Sequence, residues 1–176
     1  MWLKYASAPI VGELKDHEQS DNLSSYKKPR GCWITDDSEY CWRSWCIGEN
    51  FSRESLTHKH EVVLDESNIL ILRSAVALDD FTQEFAVEKY WGPDNDPRRL
   101  CDLCIDWREV AKRYTGLIIT PYQQSRRLRL AGGYSWYYSW DCASGCIWTA
   151  AAIKDIRLIE VDQAVRGSCL TPEPAK

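Results

Sequence analysis

No apolar run in this chain approaches the roughly 18 to 20 residues that a membrane-spanning helix requires, so no span is predicted. The opening residues Met1 to Pro9 lack a basic stretch followed by an apolar one, and no export signal is read there. A cationic excess is missing as well. The formal charge is −4, which argues against a chain-wide electrostatic grip on nucleic acid or an anionic membrane surface. Internal repeats and phosphate-cradling glycine motifs are absent too. The only Cys-x-x-Cys, Cys101 to Cys104, has no second half-site, so no metal site is predicted. A site assembled through space from Cys142, Cys146, His58 and His60 stays open. These absences predict a cytoplasmic protein without a membrane partner.

Aromatic residues are plentiful, with nine Trp and nine Tyr against three Phe. Indole and phenol combine a large apolar face with one hydrogen-bonding atom, which suits either an aromatic core or a pocket that stacks a flat ligand. Eight cysteines in a chain of 176 residues with no export signal are read as reduced thiols, most of them buried as small hydrophobes. The length accommodates one core, so a single domain is expected over 1–165, with a flexible tail over 166–176.

Hydrophobic patterning predicts a strand at Gly31 to Thr35 after a polar loop at Ser20 to Pro29, then an amphipathic helix from Ser38 to Gly48 with its Trp face inward. Glu61 to Leu64 and Ile69 to Leu72 read as a hairpin or as two successive strands. Asp79 and Asp80 are expected to cap a helix bearing Phe81, Phe85 and Tyr90, followed by a loop over 91–99. Asp106 and Glu109 form a capping-box-like pair whose helix should close at Gly116. Strands are expected at Leu117 to Thr120, Leu128 to Leu130, Ile147 to Trp148 and Arg157 to Val161. Strands and helices without regular alternation point to a single α+β domain with a mixed sheet.

Two stretches carry candidate chemistry. Arg126, Arg127 and Arg129 precede Tyr134, Trp136, Tyr137, Tyr138 and Trp140, a mixture of guanidinium groups and stacking faces suited to a phosphate- or nucleobase-bearing ligand. The plainer reading is a solvated basic edge beside buried rings. Gly132-Gly133 supplies a turn or lid hinge. Asp141 and Ser144 stand before a core strand, where they either face a cleft or satisfy backbone donors in a turn. A cysteine nucleophile is disfavoured because no histidine lies near Cys142 or Cys146 in the sequence.

Three segments resemble the ADP-ribosyltransferase fold, a small α+β domain with a split mixed or antiparallel sheet and short flanking helices. Leu3-Lys4-Tyr5-Ala6-Ser7-Ala8-Pro9 is similar to its opening strand and turn. Lys28-Pro29-Arg30-Gly31-Cys32-Trp33-Ile34-Thr35 is similar to its second-strand Gly-aromatic-x-Ser/Thr motif. Ser144-Gly145-Cys146-Ile147-Trp148, with Ile153 to Val161 behind it, is similar to its late strand, and Tyr114-Thr115-Gly116-Leu117-Ile118-Ile119 to a strand before the final part.

The resemblance implies NAD as substrate and transfer of ADP-ribose to a protein or nucleic-acid acceptor. It implies cofactor-binding roles for Lys4, Tyr5, Ser7, Arg30, Gly31, Thr35 and Trp136, and catalytic roles for Asp141 and Ser144. The sequence departs from the family at two points. Lys4 stands where a His or Arg is expected, and Ser144 where a catalytic Glu is expected, leaving Asp141 as the nearest carboxylate. The alternative is a non-catalytic module that binds a nucleotide, nucleic acid or protein through the Arg126 to Trp140 patch.

Overall fold

The computed structural model describes residues 1–20, 23, 27–91, 100–127 and 135–162. Its first half carries strand β1 (Trp2–Ala6), β2 (Cys32–Thr35), helix α1 (Trp42–Gly48), a 3₁₀ turn (Arg53–Leu56), β3 (His58–Leu64) and β4 (Ile69–Leu72). Then come α2 (Ala75–Phe85), β5 (Ala86–Trp91), β6 (Leu100–Ile105), α3 (Trp107–Arg113) and β7 (Gly116–Ile119). The chain continues with α4 (Gln124–Arg127), α5 (Ser135–Tyr138), β8 (Ser144–Ile147) and β9 (Ile153–Val161). The architecture is α+β: a seven-stranded mixed sheet in the order β4-β7-β8-β2-β1-β3-β9, and a separate β5-β6 hairpin.

Composition decides which strands are central. β7 and β8 are buried at every position, as expected of strands covered on both faces, whereas β9 is exposed at most positions on the sheet edge. Successive side chains alternate between faces. Leu117 and Ile119 therefore join Leu72, Phe81, Phe85, Trp107, Trp136 and Trp140 in the larger core under the helices. Ile118 points the other way, toward Ile34, Val62, Ile69 and Ile147. Gly145 of β8 permits this spacing: a Cβ there would lie 2.5 Å from the Ile118 side chain and 2.7 Å from the Leu117 carbonyl.

One joint in the sheet is much narrower than the others. β1 follows β3 through five register pairs, from Trp2 opposite Val62 to Ala6 opposite His58. β2 follows β8 through four. β1 and β2 share only Leu3 opposite Thr35. The β4-β7-β8-β2 and β1-β3-β9 halves thus meet at a single pair.

Several sequence expectations change. Of the two alternatives for β3 and β4, successive strands is the one found: β3 lies between β1 and β9, and β4 pairs in parallel with β7. α2 is capped by Ser74, whose Oγ accepts from the Ala77 amide at 3.1 Å, because the helix formers Ala75, Ala77 and Leu78 extend it upstream of the two aspartates. Tyr90 lies in β5 rather than on the helix. The Asp106 cap holds, with the Arg108 amide at 3.1 Å and the Glu109 amide at 3.4 Å. α3 ends at the extended Tyr114, and Gly116 opens β7. Trp42 and Trp45 of α1 are only half-buried, and Cys46 is the residue of that helix facing the core. Of the loop expected over 91–99, Trp91 belongs to β5; residues 92–99, the expected strand at 128–130, Gly132-Gly133, Arg129, Tyr134 and the tail lie outside the described residues. Among the described residues, no helix is long and apolar enough to cross a membrane.

Candidate functional site

Where β1 and β2 part, a cavity of about 370 Å³ opens. Leu3, Lys4 and Tyr5 line it from β1, and Trp33, Ile34 and Thr35 from β2. Trp42 of α1, Ser52, Ser55, Lys28, Asp141 and Cys142 ahead of β8, and Ser144 at its start complete the wall. Its volume falls in the lower part of the roughly 300–1,000 Å³ span of small-molecule pockets. Lys4, Tyr5, Thr35, Asp141 and Ser144, expected to work together but far apart in the sequence, therefore meet in one place.

Thr35 organises this region. Its Oγ1 donates to the Ala143 carbonyl at 2.7 Å and accepts from the Trp42 amide at 3.0 Å. Cys41 provides no side-chain cap for α1, so the β2 hydroxyl serves an amide of the helix's first turn and secures the approach to β8 as well. Ser144 Oγ donates to the Cys142 carbonyl at 3.1 Å, a local bond that shapes the turn.

The wall carries two cations and one carboxylate. Lys4 Nζ donates to the Trp33 carbonyl at 3.2 Å. Lys28 Nζ sits 3.4 Å from Asp141 Oδ2 and 5.3 Å from the centre of the Trp33 ring. The other oxygen of Asp141 accepts from Arg127 at 3.0 Å, and the Arg127 guanidinium lies 5.5 Å from the Tyr138 ring. Asp141 is therefore held between two cations, with Lys4 as a third positive charge nearby on the wall.

Burial sets the protonation of the neighbouring groups. The Cys142 thiol is pushed up to about 12, chiefly by desolvation. It stays protonated at neutral pH and is not a nucleophile. Tyr5 is likewise pushed up to about 12 by burial, with the neighbouring Cys41 and Asp37 adding to the effect. Its hydroxyl is buried and has no hydrogen-bond partner among the described residues.

Four residues assigned to ligand binding by sequence are not on this wall. Trp136 is 1 % exposed, packs against Phe81, Trp107 and Trp140, and donates its indole N–H to Thr82 at 3.1 Å. It is core, and no ring face is free to stack a ligand. Arg30 points to solvent while its backbone is clamped by Gln19, whose side chain accepts the Arg30 amide at 2.9 Å and donates to its carbonyl at 2.8 Å. Gly31 is fixed by packing, since a Cβ there would collide with the Ile147 carbonyl and lie 2.7 Å from Cys146 Sγ. Ser7 is exposed beyond the end of β1.

In the Arg126 to Trp140 stretch, most of the described rings are occupied by packing, and Tyr138 is the exposed one among the described residues. Trp136, Tyr137 and Trp140 are buried, and Arg126 makes a two-pronged bond to Asp79 at 2.7 and 2.6 Å. Cys101 and Cys104 are three apart on β6, so one is exposed and the other buried. His58 and His60 are buried. Among the described residues, no group of His, Cys, Asp and Glu is arranged to hold a metal, and the seven described cysteines are free thiols.

Sequence reading passed over Lys28, Trp33 and Trp42 as wall residues. Lys28 and Arg30 flank Pro29, and the resemblance assigned the arginine, whereas it is Lys28 that lines the cavity. Trp42 was read only as part of an inward helix face. No family model matches the chain, and no curated protein or solved structure does either.

Proposed function

We propose that this chain is an ADP-ribosyltransferase-like domain that takes NAD into the cavity between β1 and β2. The observation carrying this reading is the convergence of Lys4, Tyr5, Thr35, Asp141 and Ser144 on that cavity. The single-pair joint between the sheet halves supports it too, because a split sheet forms its cleft at such a divergence. Two lysines on the wall suit a diphosphate-bearing ligand. Tyr5, Trp33 and Trp42 supply rings for a planar base, and the Tyr5 hydroxyl is a donor without a partner among the described residues.

NAD supplies a scissile bond between nicotinamide and ribose: nicotinamide leaves with the bonding pair, and an acceptor nucleophile attacks the ribose carbon as it loses its proton. Lys4 and Lys28 neutralise the phosphates in this scheme. Thr35 holds α1 and the Ala143 segment in place around the ligand. Asp141 is the one carboxylate on the wall among the described residues and stabilises positive charge developing on the ribose. A ligand phosphate that draws Lys28 away releases one of its oxygens for that task.

A second reading, NAD binding without transfer, is favoured by the bonds Asp141 makes to Lys28 and Arg127. A carboxylate so neutralised offers less to a developing cation. Nicotinamide release decides between the two. Under the transferase reading the wild type releases nicotinamide and Asp141→Asn does not, while both bind NAD. Binding without release by the wild type establishes the second reading.

A further inference from the structure

We propose that the aromatic face beside the cavity, formed by Trp42, Trp45 and Phe51, docks a Lys- and Arg-bearing segment of a partner protein. The three rings form one surface. Trp42 and Trp45 are stacked at 5.1 Å and 22°, Trp45 meets Phe51 at 5.2 Å, and Trp42 meets Phe51 edge-on at 6.1 Å. Phe51 is 50 % exposed and neighbouring Ile47 is 42 % exposed, so large apolar groups cluster at the surface instead of joining either core.

The loop after α1 has a defined backbone. Asn50 and Ser52, on either side of Phe51, adopt left-handed φ angles of 52° and 43°. These conformations are uncommon for residues with a side chain, serine in particular. The Phe51 amide donates to the Cys46 carbonyl at 2.9 Å and the Ser55 amide to the Ser52 carbonyl at 2.9 Å, which holds the loop in this shape. Local packing gains little from placing a phenyl ring half in water.

Charge selects the occupant. Within the same stretch of chain as the rings, residues 37–54, Asp37, Glu39, Glu49 and Glu54 are exposed, against two arginines, Arg43 and Arg53. Among the described residues none of these four carboxylates is in an ion pair. Ring faces attract guanidinium and ammonium groups, and a carboxylate excess does the same. That excess repels a nucleic-acid backbone. Because Trp42, Ser52 and Ser55 also line the cavity, a segment docked here reaches its mouth. Its identification as the acceptor rests on the transferase reading, whereas the docking itself does not.

The test is fluorescence anisotropy of a labelled alternating Gly-Arg peptide titrated with the full chain without NAD, with a Gly-Glu peptide and an oligothymidine as comparators. The Gly-Arg peptide is expected to bind alone and to be displaced by added salt. Phe51→Ala and, separately, the surface pair Glu49→Lys with Glu54→Lys should each weaken it about tenfold. The charge pair keeps the test decisive if Phe51→Ala fails to fold. No Gly-Arg binding, equal binding of either comparator, or indifference to the charge pair overturns the proposal. None of these results depends on whether NAD binds.

Discussion

Replacing Thr35 by valine tests how the site is held together, because valine keeps the shape of threonine and deletes only its hydroxyl. Thr35 is 2 % exposed, and its Oγ1 serves the Trp42 amide and the Ala143 carbonyl together. The substitution leaves one buried donor and one buried acceptor without a partner, at about 1–3 kcal/mol each. The adjoining cavity can admit water to one of them, so the lower part of that range applies and the combined loss is about 3 kcal/mol. For a chain of this size such a loss lowers Tm by roughly 6–12 °C. Urea unfolding followed by tryptophan fluorescence measures it, with an unchanged m-value showing that only stability has moved. Thr35→Ser keeps both bonds and should cost about 1 kcal/mol for the lost methyl. A valine variant within about 0.5 kcal/mol of wild type, or a serine variant as damaged as the valine one, would refute the role assigned to this hydroxyl.

Trp136→Ala should cost about 3–5 kcal/mol of stability, since the ring is core. NAD affinity measured below the melting range of that variant should be within about twofold of wild type, and a selective loss of affinity would restore its stacking role. His60 supplies a pH dependence. Its Nε2 accepts the Ile10 amide at 3.1 Å and its Nδ1 lies 3.3 Å from the Lys4 carbonyl, an arrangement that requires the neutral ring. Burial lowers its pKa from the ordinary 6.5. The unfolded chain therefore takes up the proton first as pH falls, and stability drops through and below pH 6.5. His60→Gln should flatten that part of the stability profile relative to wild type, and identical slopes for the two proteins would exclude His60 as the cause.

Much of the fold was legible wherever one rule governed a segment. The apolar run Leu117 to Ile119 of β7 read as a buried strand because both faces are covered, and Asp106 read as a cap because it is one; β8, whose Ser144, Gly145 and Cys146 carry little apolar signal, was patterned only at Ile147. The β5-β6 hairpin was missed because Phe81, Phe85 and Tyr90 also fit a helical period, and only tertiary packing turns the chain to strand at Ala86. Ser74 was passed over because two aspartates downstream looked like stronger caps, although the alanines before them already favour helix.

At the site, the residues brought together from three distant segments were legible as types. Which of them face inward was not. Arg30 and Lys28 are indistinguishable by charge, and the Gln19 clamp that turns Arg30 outward lies eleven residues away. The aromatic run at Trp136 to Trp140 looked like a binding surface because periodicity does not reveal which ring faces are already occupied by other rings.

The most direct measurement is calorimetric titration of the chain with NAD and a non-hydrolysable analogue, alongside Lys28→Ala. Saturable binding of both ligands at one site, weakened by the lysine substitution, is the predicted result. Absence of binding at millimolar ligand, or binding indifferent to Lys28, would contradict the assignment of the β1-β2 cavity as an NAD site.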